Sequence, residues 1–291
     1  MSYADGMVKA HTADHFDIGP LLAGLHRHVY PDRELRAGEQ ATELNDLDAA
    51  LGRVPESEGF LTRLLQRVKP HLRLPPDSRV LDVGAAQGIA VAAFVRAGFA
   101  TSRVEPWYPA IETSQQVARR LGLDFELVHG RAESLPFPSE SFEFVHAYSV
   151  MEHVDDPLAC FREAHRVLVP GRGFFFSTTS ALCPRQGEIR GFVLSPWYPR
   201  KLQRRILDWA GRERPWLIGY TDSPAFQWFR HRWVKHSLYT AGFRVVVDRW
   251  TMRKQERDGW RGLTIRAAAE NRCLRFAGDL AMPGMEYLAT K

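Results

Sequence analysis

The run Val80-Leu81-Asp82-Val83-Gly84-Ala85-Ala86-Gln87-Gly88 constrains this chain more than any other. A short apolar strand enters a glycine-rich turn, an apolar helical pattern follows from Ile89, and Glu105 closes the next apolar segment. That is the frame of a nucleotide-binding βαβ unit. Gly84 and Gly88 let the backbone approach a ligand closely, the helix start offers N–H groups, and an acid ending the second strand can accept both hydroxyls of a ribose. The turn reads Gly-x-Ala-x-Gly with Asp82 two residues ahead of it. A dinucleotide fingerprint requires Gly-x-Gly-x-x-Gly and has no use for an acid at that place. A carboxylate there suits a cationic or amine-bearing ligand.

Further motifs follow in register. Val104-Glu105-Pro106 ends a second strand, and Gly130-Arg131-Ala132-Glu133-Ser134-Leu135-Pro136-Phe137 forms a loop. Ser141-Phe142-Glu143-Phe144-Val145 leads into Val150-Met151-Glu152-His153-Val154, and Arg166-Val167-Leu168-Val169-Pro170-Gly171-Arg172-Gly173 ends a helix and opens a fifth strand. Across residues 76 to 182, about a third of the chain, this order and spacing resembles the class I S-adenosylmethionine-dependent methyltransferases. Among these it is similar to the small-molecule enzymes of ubiquinone and menaquinone biosynthesis. The resemblance implies S-adenosyl-L-methionine as cofactor. Asp82, Gly84, Ala85 and Gly88 would then lie at its methionine part, Glu105 at the ribose, and Ala132 and Glu133 near adenine. Two positions depart from the family pattern: Ala86 stands where a second glycine is usual, and Arg131 where an aspartate commonly bonds the adenine amino group. A guanidinium has no acceptor, so the backbone of Ala132 or the carboxylate of Glu133 is left to read adenine.

Alternating strand and helix signals predict an α/β fold, a Rossmann-like doubly wound sheet with strands near 79–83, 102–105, 125–129, 142–148 and 173–179. Phe243 to Asp248 and Met285 to Thr290 read as two more. The resemblance implies that these last two form an antiparallel edge pair, giving a seven-stranded, mostly parallel sheet. Residues 1–55 are expected to form an N-terminal helical cap or lid and 56–291 the methyltransferase domain. Phe60, Leu61, Leu64, Leu65, Val68 and Leu72 recur at helical spacing and predict a helix docked on the sheet.

Between the fifth and sixth strands lies a long insertion, 181–241, expected to recognise substrate. Within it Leu202, Ile206 and Trp209 share one face of a helix whose other face is basic. Such a helix either lies on a membrane surface or caps the pocket with its apolar face inward. Phe226, Trp228, Phe229, Trp233 and Tyr239 suit either a flat, greasy substrate or an aromatic core. Charge is uneven: residues 197 to 275 hold 18 Lys and Arg against 7 Asp and Glu, within a chain of net charge +5. A basic half points to an anionic partner, including an anionic membrane surface contacted peripherally, or to a solvated arginine-rich face.

No apolar run approaches the ~20 residues that span a bilayer. Residues 1 to 6 show neither a basic start nor an apolar stretch, so the expected location is cytoplasmic, with peripheral membrane contact open. Cys160, Cys183 and Cys273 are odd in number, lack metal-ligand spacing and read as buried thiols in a reducing cytoplasm.

Methyl transfer requires positioning and, for an oxygen acceptor, a base. His153 fits that role, or else bonds backbone at a helix start; His146 on the strand before it is expected to be buried. Family members with Glu-x-x-Glu-His are associated with a divalent metal, but here Ser149 replaces the first carboxylate, so no metal is expected. The expected function is methyl transfer to a small molecule, at oxygen, with isoprenoid, phenolic, sugar and glycolipid acceptors open. A non-catalytic cofactor-binding scaffold remains an alternative. So does an RNA methyltransferase, although no RNA-binding module is present and nucleic acid is not favoured.

Overall fold

The computed structural model describes residues 47–186, 189–218, 225–255 and 259–291. Most of the expected N-terminal cap, residues 1–46, lies outside them. The described chain opens with α1 (Leu47–Gly52) and α2 (Val54–Val68). There follow β1 (Arg79–Val83), α3 (Ile89–Arg96), β2 (Ala100–Glu105), α4 (Tyr108–Leu121), β3 (Glu126–His129), β4 (Phe142–Tyr148), α5 (Pro157–Val167) and β5 (Leu168–Thr179). Then come α6 (Arg200–Glu213), α7 (His231–Thr240), β6 (Val245–Asp248), α8 (Arg249–Met252), α9 (Gly259–Glu270), α10 (Arg272–Ala281) and β7 (Gly284–Thr290).

The strands form one seven-stranded sheet in the order β3-β2-β1-β4-β5-β7-β6. β1 through β5 pair in parallel, and β7 runs antiparallel to both β5 and β6. The expected fold class holds, including the antiparallel edge pair. Alternation along each strand decides the two layers. Leu81, Val83, Val145, Ala147, Phe174 and Phe176 face α5 and α7, packing with Phe161, Ala164, Val234 and Leu238. Val80, Phe144 and Phe175 face α2 and α3, packing with Leu61, Leu64, Val68, Ala93 and Phe94. The residues expected at helical spacing between Phe60 and Leu72 therefore dock on the sheet as read.

Local signals explain the element boundaries. α5 starts where Asp156 accepts hydrogen bonds from Leu158 N–H at 3.0 Å and Ala159 N–H at 3.1 Å, with Pro157 in the first turn. α4 ends at Gly122, whose φ of 63° is open to glycine without strain.

α6 turns its apolar face inward. Ile206, Leu207, Trp209 and Ala210 are buried against Phe192, Leu217 and Ile218 in a satellite core. The apolar face is thus turned inward, against other residues of the same segment. Phe229 joins the main core, and Trp233 lies tilted beside it with ring centroids 5.2 Å apart. A second helical excursion, α8 to α10, fills the connection from β6 to β7, where the sequence had suggested no element. Cys160 and Cys183 are buried as expected, but Cys273 is exposed, because it sits on the side of α10 that has no core packed against it.

Candidate active site

In an open α/β sheet, ligands gather outside the carboxyl ends of the strands where the strand order reverses, here between β1 and β4. Gly84, Glu105, Ser149 and Ser180 each lie at or just beyond such a strand end. The glycine turn hangs on β2: Gly84 N–H donates to the Val104 carbonyl at 2.9 Å, and Ala86 N–H donates to Glu105 Oε2 at 2.8 Å. The other oxygen, Oε1, accepts from Trp107 N–H at 3.0 Å. Glu105 is buried, yet each oxygen keeps acceptor capacity beyond the one N–H it holds. Burial raises its carboxyl above the usual range, opposed by those two N–H bonds and by Arg103.

Glycine is required at two places in the turn. At Gly84, with φ 67°, a β-carbon would lie 2.6 Å from Val150 Cγ2, and at Gly88, with φ 75°, it would lie 2.2 Å from Ser114 Oγ. Ala86, where a further glycine would be unstrained, takes φ 44°. Ser149, at the end of β4, also has positive φ, 55°. Strained backbone of this kind persists only where surroundings over-determine it, and both residues border the same crevice.

Behind the turn runs a buried polar row on the α2–α3 face of the sheet. His146, Asp82 and Arg103 occupy matching positions of β4, β1 and β2. Asp82 Oδ1 lies 2.6 Å from His146 Nδ1, and Asp82 is only 2% exposed. The imidazole is sandwiched by Phe175, stacked at 5.8 Å, and the edge of Phe94 at 5.4 Å. Asp82 Oδ2, His146 Nε2, Ser114 Oγ and all three guanidinium nitrogens of Arg103 lack a hydrogen-bond partner. Burial lowers Arg103 to about 10, against the opposing attraction of Glu105 and Asp82. Sequence reading missed Arg103; its one signal was a charge at an inward position of a strand. His146 is buried, as expected.

The expected adenine-side residues lie together in the loop after β3. Ala132 is buried in the main core. Glu133 accepts from Arg131 at 3.2 Å and from Asp155 N–H at 3.0 Å, and Arg131 also reaches Asp155 at 2.6 Å. Burial works against the Glu133 carboxylate, but these bonds outweigh it and hold the group below its ordinary range. Arg131 thus acts as a brace between the loop and the start of α5, a role its residue type did not disclose. His153 is half-buried in the turn after β4, its N–H donated to the Val150 carbonyl at 2.9 Å. Its neighbour Glu152 is fully buried and accepts from Thr178 Oγ1 at 2.9 Å. Among the described residues no group of three or more His, Cys, Asp or Glu is placed to hold a metal ion.

The residues present fit a cationic nucleoside cofactor: two carboxylates, Asp82 beneath the turn and Glu105 beside it at the end of β2 with spare acceptor capacity, and glycines at the closest approach. Residues 81–176 match the family model described as a methyltransferase domain. Over that stretch the chain is thus similar to the class I S-adenosylmethionine-dependent methyltransferases. Curated relatives are ubiquinone biosynthesis O-methyltransferases. That of Ruegeria pomeroyi is 31% identical over 125 residues, covering 42% of this chain and 50% of the relative. That of Pseudomonas entomophila is 32% identical over 101 residues, covering 34% and 44%. The chain thus spans about half the length of the curated relatives it matches. In fold it is similar to phosphoethanolamine N-methyltransferase 2 of Haemonchus contortus, solved with S-adenosyl-L-methionine. The TM-score is 0.52 at 12% identity, covering 79% of this chain and 52% of that one.

Proposed function

We propose that this chain transfers a methyl group from S-adenosylmethionine to an oxygen of a small-molecule acceptor. The observation that carries the reading is Glu105 bridging Ala86 N–H and Trp107 N–H at the crevice between β1 and β4. The bridge holds the glycine turn and a diol acceptor in one rigid unit. Gly84, Ala85 and Gly88 line the close approach, Asp82 contributes negative charge from behind, and Glu105 takes the ribose hydroxyls. Ala132 and Glu133 border the adenine. When bound, the cofactor supplies a methyl group already activated on a sulfonium. His153 takes the acceptor's proton as the oxygen–carbon bond forms and the sulfur–carbon bond breaks. An oxygen acceptor is supported by the relatives' activity as their name states it and by an imidazole at this edge. The segment 181–241, leaving β5 at that same edge, is the part suited to recognise the acceptor.

The test pairs binding with transfer. Glu105→Gln keeps the shape and loses the charge, and it is expected to weaken S-adenosylhomocysteine binding at least tenfold by calorimetry. Methyl-labelled cofactor incubated with cell extract should place label in the organic or aqueous small-molecule fraction, well above a Glu105→Gln blank. His153→Ala should slow that transfer while leaving cofactor affinity intact. Label confined to the acid precipitate would overturn the small-molecule acceptor, and tight cofactor binding with no transfer in any fraction would favour the scaffold alternative.

A further inference from the structure

The connection from β6 to β7 turns an amphipathic helix inside out. In α10, helical spacing places Cys273, Phe276, Ala277 and Leu280 on one face, and Arg275, Gly278 and Asp279 on the other. The polar face is the one that packs. Asp279 accepts from the Trp250 indole at 2.7 Å, and Arg275 donates to the Ala269 carbonyl at 2.9 Å and to Asp248 at 3.2 Å. Gly278 sits so close to Trp250 that a β-carbon there would lie 2.4 Å from the ring. The apolar face looks outward: no residue of α10 is buried, and Phe276 is 55% exposed. The adjoining α9 adds Trp260, 71% exposed, and Leu263. A helix on a water-facing surface ordinarily has the opposite orientation, and apolar side chains gathered on an exposed surface mark an interaction site.

Charge selects the occupant. Residues 249–283 hold eight Lys and Arg against four Asp and Glu. Among those acids, Glu270 pairs with Lys254 at 3.0 Å and Asp279 is turned inward. Arg266 and Arg272 stand exposed beside the apolar residues. Tryptophan, leucine and phenylalanine flanked by guanidinium groups match the boundary between acyl chains and anionic headgroups. A second copy docked face to face would bring the same basic set together from both sides. Position adds a reason: β6 leaves the sheet at Asp248 and β7 re-enters at Gly284, opposite Thr179, so the excursion rises from the strand-end edge that bears Gly84, Glu105 and His153.

We propose that α9 and α10 dock this chain on an anionic lipid surface, with the crevice edge of the sheet beside that surface. The assignment concerns binding alone and stands apart from the methyl-transfer reading. The full chain, without cofactor, is mixed with vesicles of equal phosphatidylglycerol and phosphatidylcholine, or of phosphatidylcholine alone, and separated by flotation. Expected is partition onto the anionic vesicles at least tenfold above that onto neutral ones, falling sharply between about 0.1 and 1 M salt as the Debye length shrinks from about 10 Å to about 3 Å. Phe276→Ser with Leu280→Ser should reduce it at least tenfold, and Arg266→Gln with Arg272→Gln severalfold. Thermal unfolding of the apo proteins checks that these outward substitutions leave the fold intact. Aqueous maleimide should label Cys273 at least fivefold more slowly when anionic vesicles are present. Equal flotation of wild type and the Phe276/Leu280 variant, no binding to anionic vesicles, or unchanged Cys273 labelling would overturn the proposal. So would a dimer in light scattering that the same double substitution converts to monomer, which would make this face a contact between copies.

Discussion

Arg103 presents an unusual balance for a single side chain. Its guanidinium is fully buried and unbonded, which is costly, yet it is a cation placed against Asp82 and Glu105. Arg103→Met removes both effects, and pH separates them. Glu105 has a folded pKa raised above its ordinary 4.5, so the folded protein binds its proton more readily than the unfolded chain does. Stability therefore falls as pH rises from 4.5 to the folded value. Without Arg103 the shift grows, at about 1.4 kcal/mol for each further unit. Urea unfolding of Arg103→Met should show a larger loss of stability as pH rises above 4.5 than wild type, and a parallel line would mean that Arg103 does not serve as counter-ion. Ala86 offers a second test at this scale. Its φ of 44° costs an L-residue about 1 kcal/mol, so Ala86→Gly is expected to stabilise the protein by up to about that amount in thermal unfolding.

Asp248 is the clamp among the elements. At the end of β6 it accepts from Lys235 of α7 at 2.9 Å, Arg275 of α10 at 3.2 Å, and both Thr251 N–H at 3.1 Å and Thr251 Oγ1 at 2.9 Å in α8. Burial alone would raise its carboxyl; Lys235, Arg275 and Thr251 outweigh that and lower it. Asp248→Asn should cost about 2 kcal/mol at neutral pH, the scale of a lost charged hydrogen bond, measured in urea. The difference between the two proteins should shrink as pH falls through the lowered folded pKa. These same elements mark the limit of what the sequence disclosed. The strands with alternating or continuous apolar runs, the glycine turn and the helix from Val54 to Val68 were legible because each repeats a local period or a turn rule. α9 and α10 were not, because α10 reverses the usual polarity: its apolar side chains lack a core and its charges make the tertiary bonds. At the crevice, Glu105 and the glycines were readable from position. The pairing of Asp82 with His146 and the tie of Arg131 to Asp155 join residues 64 and 24 apart, whose meeting only the fold decides.

Taken as a whole, the molecule relies on carboxylates tied to cations, and this sets its response to acid. Glu143 on Arg79, Glu163 on Arg166, Glu133 on Arg131 and Asp248 all have folded pKa values below their ordinary 4.5 or 3.8. Each contributes stability that is present above its unfolded pKa and is lost as pH falls through its folded one. Glu105 runs against them but is a single group. Unfolding free energy should therefore drop on acidification below about pH 4.5, the upper reference value of these carboxyls, and a flat profile down to pH 3 would contradict the ion pairs. The sheet order holds one further consequence. β6 bonds only to β7, and β7 also covers the flank of β5, so the strand that closes the sheet is the last of the seven along the chain. During synthesis, residues 245–248 have nothing to pair with, and β5 shows a bare row of backbone groups, until residues 284–290 leave the ribosome. A nascent chain of this sequence must wait for residues 284–290 before its sheet is sealed, and a stall or truncation ahead of them would leave an open edge ready to pair with its neighbours.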